Sequence, residues 1–354
     1  MSVKEDVLRI LNDNKEVYLS GEEIAGRLGV SRAAVCKAVK GLNAEGYDIS
    51  GLSRLGYRMH IGDDILSIDG INKYIDKEMK DVFAIEVYKT ISSTNTVLKE
   101  KAVKGAEEWH IFVASEQTAG RGRMNRTFYS PSDSGIYMSI LFRPKLSAQQ
   151  ALLITTMTAT AVSEAIDELF HIETKIKWVN DIYYHGRKIC GILTEAAVNV
   201  ETAMLDYAVV GIGVNVKAPV GDFPEDIRSI AGAILSEQPD EAVRDNVRNR
   251  LTAGIIGKMY RYYGMLKADR MMGESVADNA GKMGHQYGFM ESYKRKSMLI
   301  GKKVYILSDE SREELLVLDI DDNAALVVEH ADGRIEALKS GEVSVRESQW
   351  ERNM

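Results

Sequence analysis

One stretch of the chain pairs glycines with arginines in a way that suits an anionic ligand. It reads Ser115-Glu116-Gln117-Thr118-Ala119-Gly120-Arg121-Gly122-Arg123-Met124-Asn125-Arg126. Glycine lets backbone approach a ligand closely, and guanidinium grips carboxylate or phosphate in a two-pronged geometry. The stretch lacks the closing Gly-Lys-Ser/Thr of a Walker loop and is not a GxGxxG dinucleotide turn. Alone it fits an RNA-binding or flexible basic loop as well as a nucleotide site. A second stretch, Lys177 to Glu195, reads as a strand, a turn at His185-Gly186 and a return strand. Lys188 opens the return strand beside an apolar run, suited to a pocket; the plainer reading is a hairpin with exposed basic residues. Two glycines, Gly211 and Gly213, interrupt the apolar strand Val209–Val216, a pattern that marks close ligand approach. Thr90 to Asn95 offers small hydroxyl and amide groups for a neutral polar head.

These groups need a scaffold, and the patterning supplies three parts. From Ser67 to about Ser297 strands and helices alternate, as in a mixed α/β domain. Ahead of it lie a short amphipathic helix over Val3–Leu11, a capping-box start at Ser20 and Glu23 for a helix ending at Gly29, and a third helix from Arg32. Strands near Tyr47–Ser50 and Gly56–Met59 complete a winged helix-turn-helix. Ala25 is small where two helices cross, and Val35 packs inward. Its third helix and wing offer Ser31, Arg32, Ala33, Lys37, Lys40 and Arg54 to a major groove, where arginine reads guanine. Use of this module for protein contacts alone is the rival reading. Residues around His60–Leu66 read as a linker. Short β-branched runs at Lys303–Leu307, Leu315–Ile320, Ala325–Glu329, Arg334–Leu338 and Val343–Val345 suit a small β-barrel. The expected domains are 1–63, 64–298 and 299–354, an α+β multidomain chain.

Composition narrows the class. With 354 residues the chain exceeds one small core, and 27% charged residues with five prolines exclude disordered and collagen-like types. A net charge of −7 argues against a chain that coats nucleic acid with its whole surface, while leaving room for a local reading face. Cys36 and Cys190, far apart and in apolar surroundings, are expected as buried thiols in a reducing cytoplasm and not as a bridge. The N-terminus lacks a secretory pattern, and Leu146–Ser163, threaded with polar residues, reads as a core helix and not as a membrane span. No metal-ligand cluster is expected.

The four segments, in their order and spacing, resemble the biotin–protein ligase family, and with the winged helix the likeness points to its bifunctional ligase–repressor subgroup. Tyr293-Lys294-Arg295-Lys296-Ser297, Gly301 and Val304 resemble the family's junction to its last domain. The resemblance implies a catalytic domain like class II aminoacyl-tRNA synthetases and an SH3-like C-terminal domain. It also implies biotin and ATP as substrates with Mg²⁺, biotinyl-5′-AMP as intermediate, and a lysine of biotin carboxyl carrier protein as acceptor. Operator DNA and a homodimer carrying biotinyl-AMP follow from the same likeness.

Carried over by resemblance, Ser93 and Gln117 bind the ureido ring, with Thr94 and Arg121 near biotin, Gly120 and Gly122 in the ligand loop, and Gly211 and Gly213 lining the pocket. Arg123 holds the adenylate phosphate; Arg126, Phe128, Asn180 and Asn215 face the nucleotide; Asp181 positions it or the metal. Lys188 contacts the biotin carboxylate, and Lys188, Arg121 and Arg123 form the catalytic set. Met124 replaces a common basic residue, Asn125 a glycine, Val179 a proline, and Phe128 a tryptophan that covers adenine. A lipoate ligase would carry Arg-Arg-x-Ser-Gly-Gly-Gly, absent here. The motifs are also compatible with a biotin sensor whose ligase site is dead, and with a ligase whose winged helix is silent.

Overall fold

The computed structural model describes residues 2–44, 47, 49–60, 64–235, 245–274, 288–306, 313–339 and 343–345. The chain forms two compact units, one of Met1–Tyr74 with Glu237–Arg250, the other of Ile75–Ser236 with Leu251–Met354.

In the first unit α1 (Val3–Asp13) begins with a full capping box, Ser2 and Glu5 bonding reciprocally. At α2 (Gly21–Leu28) the Ser20 hydroxyl accepts from the Glu23 amide. The reciprocal half expected there is replaced, because the Glu23 carboxylate turns to Arg27 at 2.7 Å, one helical turn on. Gly29 ends the helix with φ 65°. Then come α3 (Arg32–Ala44) and the antiparallel wing β1 (Ile49–Leu52) and β2 (Gly56–Met59). Val7, Leu11, Ile24, Val35, Val39 and Leu42 form the core. Burying each such side chain is worth about 1.5–3 kcal/mol against exposure. Gly56, at φ 103°, lies where a Cβ would strike the Leu19 carbonyl, so only glycine lets the wing pair there. The short α4 (Ile68–Asn72) follows, and Asp64 and Arg248 form a buried 2.9 Å ion pair.

The second unit is built on a seven-stranded sheet. Its strands are β3 (Ala84–Ile91), β4 (His110–Gln117), β5 (Gly135–Phe142), β6 (Lys175–Lys177), β7 (Asp181–Tyr184), β8 (Arg187–Val198) and β9 (Leu205–Asn215), in the order β3-β4-β5-β9-β8-β7-β6. Only the β3–β4 pair is parallel. The expected two-strand hairpin over Lys177–Glu195 is thus part of a three-strand run, β6 turning into β7 at Trp178–Asn180 before the His185-Gly186 turn.

Helices α5 (Thr94–Val103), α6 (Ala151–Phe170), α7 (Val247–Glu274) and α8 (Gly288–Lys296) complete the α/β part. As expected, Leu146–Ser163 falls largely in a core helix. The hydroxyls of Thr156, Thr158 and Thr160 donate to carbonyls four residues back, which satisfies polar groups inside the core. No described helix is long and apolar enough to cross a membrane. The C-terminal strands β10 (Lys303–Ile306), β11 (Glu314–Ile320), β12 (Leu326–Glu329), β13 (Ile335–Leu338) and β14 (Val343–Val345) form one antiparallel sheet, ordered β13-β12-β11-β10-β14. Leu307 lies outside the described residues. Both cysteines are free; Cys190 is buried as expected, whereas Cys36, on α3, is only half-buried.

Candidate active site

A cavity of about 490 Å³ opens in the second unit over β8 and β9. Every residue expected to meet biotin or nucleotide lines it, apart from Gly120. Gly120 instead lets the loop fold, since a Cβ there would strike the Phe128 carbonyl and the Ser130 hydroxyl.

One end is a hydrogen-bonded cluster. Ser93 is buried and caps α5, its hydroxyl facing the Thr96 amide. Gln117 accepts from the Thr94 amide at 2.9 Å and the Thr94 hydroxyl at 3.1 Å, while its own amide donates to Ser130 at 3.0 Å. The Ser139 hydroxyl, fully buried on β5, reaches Thr94 at 2.7 Å and Asn95 at 2.6 Å. Asn95 in turn donates to the Leu193 carbonyl and the Glu195 carboxylate. Gly211 makes room for this, because any Cβ there would collide with the Asn95 carboxamide.

Glu195 ties this cluster to the glycine–arginine loop. It lies 2.7 Å from Lys99 and 3.7 Å from Arg121. Burial acts to raise its pKa, but the bonds from Lys99 and Asn95 with the charges of Lys99 and Arg121 outweigh that and hold the carboxyl below its usual range. Asn95 belongs to the stretch suited by its residue types to a polar head, but Ser139, Lys99 and Glu195 carry no sequence signal of their own. Their partnerships cross from 44 to 100 residues of chain.

The loop itself closes on the Arg121–Thr127 bridge and a 2.7 Å bond from the Gly122 amide to the Arg126 carbonyl. Met124 and Asn125 take left-handed backbone at φ 52° and 58°, which Asn tolerates better than most residues. Arg123 donates to the Asn180 carboxamide at 3.1 Å, and Asn180 is itself pinned to the Ile192 carbonyl.

The floor is a pair of facing glycines, Gly191 on β8 and Gly213 on β9, which are register partners. The Phe128 ring lies on them: a Cβ on Gly213 would collide with it, and one on Gly191 would stand 3.1 Å away. Lys188 passes over the same Gly191 and pairs with Asp181 at 2.7 Å. Burial, reinforced by the Asp181 charge, raises the Tyr183 hydroxyl to about 12. Burial likewise pushes the Cys190 thiol up, making it unreactive despite its place in the lining.

Phe223, Ile227 and Ile230 supply an apolar wall that sequence reading misses, since no periodic pattern marks the loop after β9. Backbone bonds dock this segment to the Lys188 amide and carbonyl. Asn215 donates to the Gly232 carbonyl at 3.0 Å.

In the first unit Ser31, Arg32, Ala33, Lys37, Lys40 and Arg54 are all exposed, while Ala25 and Val35 face the core as expected. Ser31 also caps its helix, accepting from the Ala34 amide.

Comparison with known proteins agrees with this division. Residues 87–215 match the biotin/lipoate A/B protein ligase family, and residues 3–58 match an HTH domain. The bifunctional ligase/repressor BirA of Bacillus subtilis is 33% identical over 262 residues, covering 74% of this chain and 79% of its own. Its namesake in Escherichia coli is 24% identical over 335 residues, 94% of each chain. Among solved structures, the biotin protein ligase of Aquifex aeolicus in complex with biotin and ATP superposes with a TM-score of 0.54 at 25% identity, covering 74% of this chain and 98% of that one. A winged helix followed by this cavity, on a chain so related, belongs to the biotin–protein ligase family, in its branch of bifunctional ligase/repressors.

Proposed function

We propose that this protein is an ATP-dependent biotin–protein ligase and a biotin-responsive repressor. The observation that carries the ligase half is the convergence of Arg121, Arg123 and Lys188 on one cavity whose other end is a neutral hydrogen-bonding cluster. Such a cavity fits a ligand with a polar uncharged head, an apolar body and an anionic end.

In the first step the biotin carboxylate attacks the α-phosphorus of ATP, and pyrophosphate leaves. Two anions must approach, so cations fixed in advance lower the barrier; losing one such donor costs about 10²–10³ in rate. Lys188 meets the carboxylate with Arg121 beside it on the biotin side, Arg123 holds the phosphate, and Phe128 offers the nucleobase a stacking face. In the second step a carrier lysine amine attacks the acyl carbonyl of biotinyl-5′-AMP, AMP leaves, and the amine proton passes to solvent. The loop that carries both arginines shields the anhydride from water. Gln117 holds Thr94 through its amide oxygen, and its amide nitrogen, which gives one hydrogen to Ser130, keeps a second for the ureido ring.

The donor set fits Mg²⁺ arriving with the nucleotide. Asp181 Oδ1 is buried and accepts no hydrogen bond among the described residues. No cluster of three or more metal-binding side chains occurs among them. One carboxylate plus substrate phosphates and water is a usual Mg²⁺ environment. When bound, the metal neutralises phosphate charge.

For the repressor half, support comes from the exposed basic face of α3 and the wing together with the match to an HTH domain. Biotinyl-AMP that finds no carrier stays bound and favours a homodimer able to span a two-fold operator.

The test is to incubate the protein with biotin, Mg-ATP and a biotin carboxyl carrier domain and weigh the carrier. The carrier gains one biotinyl group, and Lys188→Ala slows this by about 10²-fold or more. Tight biotin binding without transfer would refute the enzyme and leave a sensor.

A further inference from the structure

Lys188 and Asp181 meet from the neighbouring strands β8 and β7 in the cavity lining, with a contact that is an ion pair and nothing more. The ammonium lies 2.7 Å from Asp181 Oδ1, yet that oxygen accepts no hydrogen bond of proper geometry among the described residues. Both side chains are largely buried, 30% and 22% exposed. An undirected attraction between desolvated charges is strong against removal of one partner, but it is readily exchanged for another charge in the same place.

The surroundings make exchange easy. The Lys188 backbone is fixed on both sides, its amide donating to the Ile230 carbonyl and its carbonyl accepting from the Gly232 amide. Its side chain crosses Gly191, where a Cβ would stand only 3.3 Å from Cε and 3.4 Å from Nζ. The ammonium thus lies over Gly191 beside the Phe128 ring, with no Cβ beneath it, while its backbone is held in place. Asp181 is the register partner of that same Gly191. Among the described residues it has Lys188 as its ion-pair partner and no other.

We propose that Asp181 is a positioning residue: it holds Lys188 as a resident counter-ion, gives it up to the ligand carboxylate, and would then help hold the metal that arrives with the nucleotide. This rests on the reading of Lys188 as the carboxylate contact. Biotin entering alone must pull Lys188 away and leave the Asp181 charge uncompensated, so it binds below the affinity the cavity could offer. A magnesium nucleotide restores the compensation. The two substrates thereby favour each other, and the coupling is reciprocal.

Calorimetric titration of biotin tests this in wild type, Asp181→Asn, Lys188→Ala and the double variant. Each is measured alone and with Mg²⁺ plus a non-hydrolysable ATP analogue, and Asp181→Ala stands in if the asparagine variant melts early. Asp181→Asn is expected to bind biotin about 10-fold more tightly than wild type without nucleotide. That gain vanishes in the Lys188→Ala background, and the nucleotide's enhancement of biotin affinity, present in wild type, is lost. An unchanged or weaker biotin affinity in Asp181→Asn overturns the proposal. So does a gain that survives in Lys188→Ala, which marks a diffuse field effect, or a nucleotide enhancement that persists. If Lys188→Ala alone leaves biotin affinity untouched, it is the assignment of Lys188 that fails, and the two failures are told apart.

Discussion

Gly211 shows how much of this site depends on a missing side chain. Its hydrogen leaves space for the Asn95 carboxamide, which joins Ser139 on β5 to Glu195 on β8. Gly211→Ala is expected to cost about 1–3 kcal/mol through overpacking, read as a lower denaturation midpoint, and to weaken biotin binding by disturbing Thr94. Asn95→Ala in the same chain relieves the collision, so the double variant is more stable than the sum of the two losses. Additive losses would mean that the two residues do not share one space. At this scale the sequence is informative about residue type and poor about partnership. The glycines, arginines and Lys188 announce themselves by kind and spacing. That Ser139 and Glu195 complete the same cluster is invisible until β5, β8 and α5 are brought side by side. The Lys188–Asp181 pair, seven residues apart on facing strands, requires knowing that β7 and β8 pair with a register shift.

Among the elements, α2 separates two devices that sequence alone merges. The Ser20 hydroxyl caps the helix, whereas the Glu23 carboxylate belongs to an exposed pair with Arg27. Ser20→Ala should then cost about 1 kcal/mol of unfolding free energy, and Glu23→Ala no more than roughly a few tenths. Equal losses would restore the reciprocal capping box.

The C-terminal sheet adds a pH dependence. His330 sits between Glu313 at 2.7 Å and Glu336 at 3.0 Å. The Glu313 bond raises its pKa; burial and the Arg334 guanidinium, 3.1 Å from Nδ1, oppose this, and Glu336 adds to the rise, which prevails. With the folded value above the unfolded 6.5, the stabilisation is complete below pH 6.5 and disappears as pH climbs through the folded value. The melting point should therefore fall as pH rises from 6.5 through the raised folded value of His330. His330→Gln should flatten the curve; a variant with the same slope removes His330 as its source. The strands of this sheet are legible because each is a short local run of β-branched residues. The apolar wall around Phe223 is not, because it follows no period and owes its place to backbone bonds with Lys188.

For the whole molecule, the proposed repressor activity is a linkage between ligand and assembly. Biotinyl-AMP is expected to raise both self-association and operator affinity by roughly 5- to 150-fold, measured by sedimentation and by gel shift. If neither moves, the regulatory half is lost and the ligase stands alone. Neither half is legible in bulk composition: an overall charge of −7 conceals the exposed basic residues of α3 and the wing, and the winged helix and the cavity emerge only segment by segment.

The two thiols of this chain differ enough to be useful at the bench. Cys190 is fully buried in the wall of the ligand cavity and its thiolate is suppressed by burial, while Cys36 sits half-buried on the helix that carries Arg32 and Lys40. A maleimide dye added to the unaltered protein will therefore mark Cys36 alone. That gives a single-colour reporter on α3, the helix proposed to read DNA, without any cysteine having to be engineered in or out.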